Sequence, residues 1–306
     1  MRIFYTDEFV LPLPPGHRFP MRKYSALRER IVAEGLCPPH TMQVPAVASE
    51  EDLLRVHTPA YVQAVFRGIL SAAEMRRIGF PWSPALVERS RRSVGATIAA
   101  ARAALTEGAA VNLAGGTHHA FADRGEGFCV FNDVAVAARV LLTEGLVSRV
   151  AVLDTDVHQG NGTAAIFEND PAVFTFSVHG QSNFPFHKTA SDLDIGLPDR
   201  AGDVQWLAAI DRGIDAVRQI GPDIIFYIAG ADPWSGDRLG RLDVSKTALA
   251  MRDERICALA ASTGTPVAIV MGGGYADNVE DTVDIHAQTV IAAAAVGLRS
   301  ATATSR

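Results

Sequence analysis

The feature that most constrains this chain is a repeated switch between two hydrophobic patterns. Short apolar runs rich in β-branched and aromatic residues occupy 2–6, 109–113, 149–154, 172–178, 223–229 and 266–271. Runs without polar alternation predict strands buried on both faces. Between them lie stretches with helical periodicity at 21–34, 59–70, 84–107, 134–144, 204–220, 245–263 and 278–297. That succession predicts an α/β fold built on one mostly parallel sheet with helices on both sides. No Pro/Ser-rich linker and no internal repeat interrupts it, so residues 1–298 are expected to form a single domain. The small, polar stretch 299–306 is expected to be a flexible tail.

Composition narrows the function classes. The chain has 306 residues, 48% of them hydrophobic, and a net charge of -6. It can therefore bury a sizeable core. It carries no Lys/Arg cluster of the kind that binds nucleic acid. Asp7 and Glu8 interrupt the N-terminal apolar stretch where a signal peptide would need continuity, and no uncharged run is long enough to span a membrane. We expect a soluble, cytoplasmic protein with neither nucleic-acid nor membrane partners, and leave its oligomeric state open. Cys37, Cys129 and Cys257 are too few and too scattered for a disulfide framework or a thiolate zinc cluster, so each is expected to act as a small buried hydrophobe.

Open parallel sheets bind ligands beyond the carboxyl ends of their strands, and four such ends are unusually polar or glycine-rich. The run at 109–113 leads into Gly115-Gly116-Thr117-His118-His119, two imidazoles suited to proton transfer near neutral pH. The run at 149–154 leads into Asp154-Thr155-Asp156-Val157-His158-Gln159-Gly160-Asn161-Gly162. In an extended segment Asp154, Asp156 and His158 share one face, and two carboxylates held together call for a compensating cation. Carboxylate and imidazole together suit zinc or iron(II); helix capping is the competing role. The run at 223–229 ends in Gly230-Ala231-Asp232, and the run at 266–271 in Gly272-Gly273-Gly274-Tyr275. Three consecutive glycines imply a tight turn or a close approach.

This ordered set resembles the zinc-dependent histone deacetylase and acetylpolyamine amidohydrolase family, of the arginase/deacetylase fold. The match runs from Pro14-Pro15-Gly16-His17 through His57-Thr58-Pro59-Ala60-Tyr61, Gly127-Phe128-Cys129 and His158 to Gly162, and on to Tyr275. It is most like bacterial members related to the class IV branch. The resemblance implies an eight-stranded parallel sheet completed by a run near 42–44. It implies Asp156, His158 and Asp232 as zinc ligands, His118 and His119 as the histidine dyad, and Tyr275 as donor to the substrate carbonyl. Asp154 would orient His118 and, with Asp156, His158, Ser177 and Val178, hold a structural potassium ion. Phe128, Gly127, Gly273 and Phe184 or Phe186 would line an acyl-lysine channel. Asn161 stands where many members carry an aspartate supporting the second histidine, giving His119 a neutral partner. Arg22 and Lys23 are the alternatives for the acetate-release tunnel, and no acidic rim residue is evident.

The activity so implied is hydrolysis of acyl groups from lysine-like or polyamine-like amines, small-molecule or protein-borne, by metal-activated water. The net acidity suggests a negative rim that attracts cationic amines. An arginase-like ureohydrolase with a metal pair and a catalytically silent acyl-lysine binding module are the alternatives. Other conspicuous residues are read as structural: His57, His179 and His187 as satisfied structural or rim histidines, the run 89–92 as a solvated helix face, and Trp234 as a core or rim aromatic that follows Asp232 closely enough to shape the channel mouth.

Overall fold

The computed structural model describes residues 1–303, with side chains through residue 296, and contains one sheet of eight strands. These are β1 (Arg2–Phe4), β2 (Met42–Gln43), β3 (Ala109–Asn112), β4 (Val150–Asp154), β5 (Val173–Gly180), β6 (Leu193–Leu197), β7 (Ile224–Ala229) and β8 (Val267–Met271). They lie in the order β2-β1-β3-β8-β7-β4-β5-β6, every pair parallel. The helices are α1 (Arg22–Ala33), α2 (Glu50–Leu54), α3 (Pro59–Arg67), α4 (Ala72–Ile78), α5 (Pro84–Glu107), α6 (Asp133–Thr143), α7 (Asn161–Ile166), α8 (Asp203–Ile220), α9 (Lys246–Thr263) and α10 (Val279–Ala303).

The unbroken apolar runs are explained by two cores. Along β4, β7 and β8, Val152, Phe226 and Ala268 point to one face, and Leu153, Tyr227 and Ile269 to the other. The first face packs against α3, α5 and α6 through residues such as Val62, Ile98 and Leu141. The second packs against α1, α8, α9 and α10 through Leu27, Trp206, Ile256 and Val290. Every residue of β4, β7 and β8 is thus buried whichever way it points. All three cysteines are buried and unpaired, and among the described residues no helix is long and apolar enough to cross a membrane.

Four elements escaped the sequence pattern for physical reasons. β6 is an edge strand whose side chains alternate between buried and exposed, so it lacks a continuous apolar run. The helices α2, α4 and α7 span one to two turns, too short for a 3.6-residue period to register. Capping boxes at Ser49/Asp52 and Ser71/Glu74 start the first two.

The helix α10 is described through Ala303, and 304–306 lie outside the described residues. Two expectations need correcting. The arginines of 89–92 are not a solvated face. Arg89 donates to the Phe9 carbonyl and covers the Tyr24 ring, Arg91 donates to the Ala48 carbonyl, and Arg92 to that of Pro45. They fasten the N-terminal loops onto α5. Trp234 packs against the core as a rim aromatic, with the Lys246 ammonium 5.1 Å over its ring, and does not shape the channel mouth.

A buried ionic cluster supports the β7 end. Arg252 and Asp253 are both fully buried. Arg252 donates to the Gly230 carbonyl at 2.5 Å, while Asp253 accepts from Arg252, from Thr289 at 2.8 Å and from the Tyr227 hydroxyl. Removing one partner of a buried pair strands the other charge. Asp253→Ala should therefore lower unfolding stability by about 3–5 kcal/mol in urea denaturation; a loss below about 1 kcal/mol would contradict this role.

Candidate active site

The strands β3, β8, β7 and β4 are neighbours in the sheet, so the four unusual strand ends meet along one edge. After β3 the chain turns through Gly115 and Gly116, both at positive φ (84° and 67°). The fully buried Asp133 at the start of α6 clamps this turn. It accepts from the Gly116 and Thr117 amides at 3.1 and 2.7 Å and from the hydroxyls of Thr97 and Thr117, both at 2.6 Å. A side chain at Gly115 would meet Asp133 at 2.4 Å. The clamp fixes the backbone that presents His118 and His119, whose rings lie 4.1 Å apart.

The two imidazoles have different partners. His118 Nδ1 lies 2.6 Å from Asp154 Oδ2. His119 Nδ1 lies 2.7 Å from Asn161 Oδ1, and Asn161 Nδ2 donates to Glu126 at 2.6 Å. Because a carboxylate only accepts, Glu126 fixes which way the Asn161 amide points. The amide oxygen then faces His119, which places the proton on Nδ1 and leaves Nε2 as a lone pair. The charges diverge accordingly. Burial opposes protonation of His118, but Asp154 and Asp156 outweigh it and raise the group to about 9. For His119, burial and the neighbouring His118 and His158 act together and hold it well below its ordinary value.

Beyond β4, His158 Nδ1 lies 2.9 Å from Asp156 Oδ1 and 3.1 Å from Asp232 Oδ2. One donor atom from each of these three buried residues lies within 4.8 Å of the others, an arrangement that can hold a metal ion. The surrounding backbone is shaped for it. The Gly273 amide donates to Asp156 and the Val157 amide to Asp232. A Cβ at Gly273 would fall 1.8 Å from an Asp232 oxygen, so only glycine fits beside the pair. Burial opposes protonation of His158, but Asp156 and Asp232 raise it to about 10. Burial and then Asp156 push Asp232 up to about 7. The carboxylates thus demand positive charge from whatever lies between them. Two carboxylates and one imidazole are a donor set suited to a catalytic divalent ion with an open position.

Tyr275 follows β8, with its ring 6.3 Å from that of His158. Its amide donates to Asp237 at 2.6 Å and its carbonyl accepts from Arg238 at 2.7 Å. Burial and then Asp156 and Asp232 raise its phenol well above the ordinary value, which keeps it a hydroxyl donor.

His119, His158, Gly127, Phe128, Phe184 and Tyr275 all face a cavity of about 710 Å³. Phe184 packs edge-on to His119 at 4.9 Å. A Cβ at Gly127, which has φ of 57°, would strike the His119 ring at 2.6 Å. Phe186 is 79% exposed, at the outer lip, so Phe184 forms the inner wall. The mouth corrects the expectation of a negative rim: Arg18, Arg76, Arg77, Arg238 and Arg241 line it, and Glu126 is its one carboxylate among the described residues.

A second, small cavity lies behind His118 and Tyr275 and is lined by Lys23. Arg22 instead faces outward, 3.6 Å from Glu29. Asp154 stands beside Ser177 in the β4–β5 register, with Val178 next, and the Ser177 hydroxyl contacts His179 at 3.0 Å. His57 is satisfied by the Phe121 carbonyl and the Asn132 amide, as its structural reading expected. Asp133, Glu126, Asp237 and Arg238 went unremarked in the sequence. Asp133 lies four residues beyond Cys129 and Asp237 five residues beyond Asp232, but nothing in their spacing says which loops they clamp.

Comparisons with known proteins agree with this geometry. The chain is 44% identical over 285 residues to an uncharacterized protein of a Picosynechococcus strain, covering 93% of this chain and 95% of that one. It is 30% identical to histone deacetylase 2 of Arabidopsis thaliana, over 85% of this chain and 70% of that one. A crystal structure of a histone deacetylase homologue complexed with SAHA superposes with a TM-score of 0.83 and 25% identity, covering 97% of this chain and 84% of that one. The histone deacetylase domain pattern matches residues 17–290, and the chain therefore belongs to the histone deacetylase domain family.

Proposed function

We propose that this chain is a zinc-dependent deacylase that hydrolyses the amide of an acyl-lysine-like substrate, with residues 1–298 acting as one catalytic domain. The observation that carries this reading is the convergence of Asp156, His158 and Asp232 beside a neutral His119 and a protonated Tyr275 at the floor of one cavity. Asp156, His158 and Asp232 would hold the zinc. Asp154, Asp156, His158, Ser177 and Val178 would hold a structural potassium ion, through side chains and main-chain carbonyls at the ends of β4 and β5. A zinc ion there supplies Lewis-acid polarisation of the substrate carbonyl and a more acidic water.

The remaining work falls to the chain's own residues. His119 Nε2, free because Nδ1 is engaged by Asn161, accepts the proton of the attacking water and returns it to the departing amine. His118, kept cationic by Asp154, lowers the basicity of His119 and stabilises negative charge nearby. The Tyr275 hydroxyl donates to the oxygen on which charge develops. Phe128 and Phe184 flank the aliphatic stem of the acyl-lysine, while Gly127 and Gly273 allow close approach. Lys23, 3% exposed and donating to the Gly272 carbonyl at 3.3 Å, lines the small inner cavity where the product carboxylate would sit. A ureohydrolase would need further ligands for a second metal, and the described residues contain a single three-donor group.

Asp156→Ala should abolish both zinc retention, read by elemental analysis, and release of acetate from an acetyl-lysine reporter; full activity without bound metal would overturn the reading. Tyr275→Phe should keep its metal and lose about 100- to 1,000-fold in kcat. Asn161→Asp should place a negative charge against His119 and raise its pKa. The base form is then lost at higher pH as acidity increases, so the acidic limb of the kcat/KM profile should move upward; a downward or absent shift would contradict the assignment of His119 as the base.

A further inference from the structure

The cavity mouth is cationic in a chain of net charge -6. Arg18, Arg76 and Arg77 line it, are exposed, and form no ion pair among the described residues. Arg238 and Arg241 each reach one carboxylate, Asp277 and Asp199, both at 3.3 Å. Asp277 is 88% exposed, so water weakens that pairing. Glu126, the single lining carboxylate among the described residues, is committed to the Asn161 amide.

This stripe is also tied to the catalytic loop. Arg238 donates to the Tyr275 carbonyl at 2.7 Å and to the Arg18 carbonyl at 3.3 Å, joining the two sides of the mouth over the tyrosine. Guanidinium groups gathered at one rim repel one another and draw anions, and their planar forks match carboxylates. A polyamine or a lysine-rich tail entering this cavity would leave its ammonium groups against the same rim.

Resting on the deacylase reading, we propose that the substrate is an acyl-lysine flanked by acidic residues, whose carboxylates engage the arginine rim while the acyl-lysine stem enters the cavity. Polycationic substrates are selected against by the same charges. Single exposed pairs are weak, but several positive charges within a Debye length of about 10 Å at 0.1 M salt act together and are screened as salt rises.

The test uses acetyl-lysine peptides of equal length with Glu/Asp, Gln/Asn or Lys/Arg flanks, and an acetylated diamine, at low and high salt. Acetate release and fluorescence anisotropy are read for the wild-type chain, for the triple variant Arg18→Gln/Arg76→Gln/Arg77→Gln, and for Arg212→Gln/Arg218→Gln on α8, which removes two positive charges away from the cavity where the rim variant removes three. The expected result is a preference of about tenfold or more in kcat/KM for acidic over basic flanks, lost in the triple variant and at high salt and kept in the α8 variant. Equal turnover of all peptides, or preference for basic flanks or the diamine, would overturn the proposal while leaving the deacylase reading intact. Absence of turnover with every peptide and with the diamine would overturn the deacylase reading, and the anisotropy ranking would still decide the rim: tighter binding of acidic peptides that the triple variant loses supports it, and no ranking sinks it.

Discussion

Everything at this edge of the sheet follows from three buried carboxylates, Asp154, Asp156 and Asp232, brought together at the ends of the neighbouring strands β4 and β7. Carboxylates placed so close in a medium that solvates them poorly cannot all remain charged without positive charge nearby. The chain answers with His118 against Asp154, His158 between Asp156 and Asp232, and main-chain amides of Val157 and Gly273. A divalent cation satisfies the same demand more completely, because it meets both carboxylates at once while keeping a position open for water.

The sheet makes this crowding possible. Parallel strands deliver all their carboxyl ends to one edge, and the crossovers put β3, β8, β7 and β4 side by side although they are far apart in sequence. The cost is a set of glycines. Gly115, Gly127 and Gly273 stand where a methyl group would collide with Asp133, with His119 and with Asp232. The site is thus rigid by exclusion as well as by hydrogen bonding. The two histidines then differ in charge because one is paired with an anion and the other with an amide that Glu126 orients.

Much of this was legible in the sequence. Double-faced strands announce themselves as unbroken apolar runs, and residues that must sit at strand ends follow those runs directly, so Asp156, His158, Asp232, His119 and Tyr275 could be placed on one edge before any coordinates. The edge strand β6 and the one- or two-turn helices were not legible, since neither periodicity has room to develop. Nor were the supports. Asp133, Glu126, Asp237 and Arg238 act through long-range contacts that a linear pattern does not encode. The rim was misread for a related reason: net charge sums the whole surface, whereas five arginines from separated segments converge on one mouth.

The central claim is that the Asp156, His158 and Asp232 cluster is a single metal site, in which the two carboxylates hold a proton on His158 when no metal is bound. It is tested most directly by titrating metal-free protein with zinc calorimetrically in two buffers of different ionisation enthalpy. The account predicts one saturable site per chain and net proton release near neutral pH, because a ligated His158 must give up the proton that Asp156 and Asp232 hold on it. Binding of two ions per chain, or saturable binding that releases no protons, would contradict it.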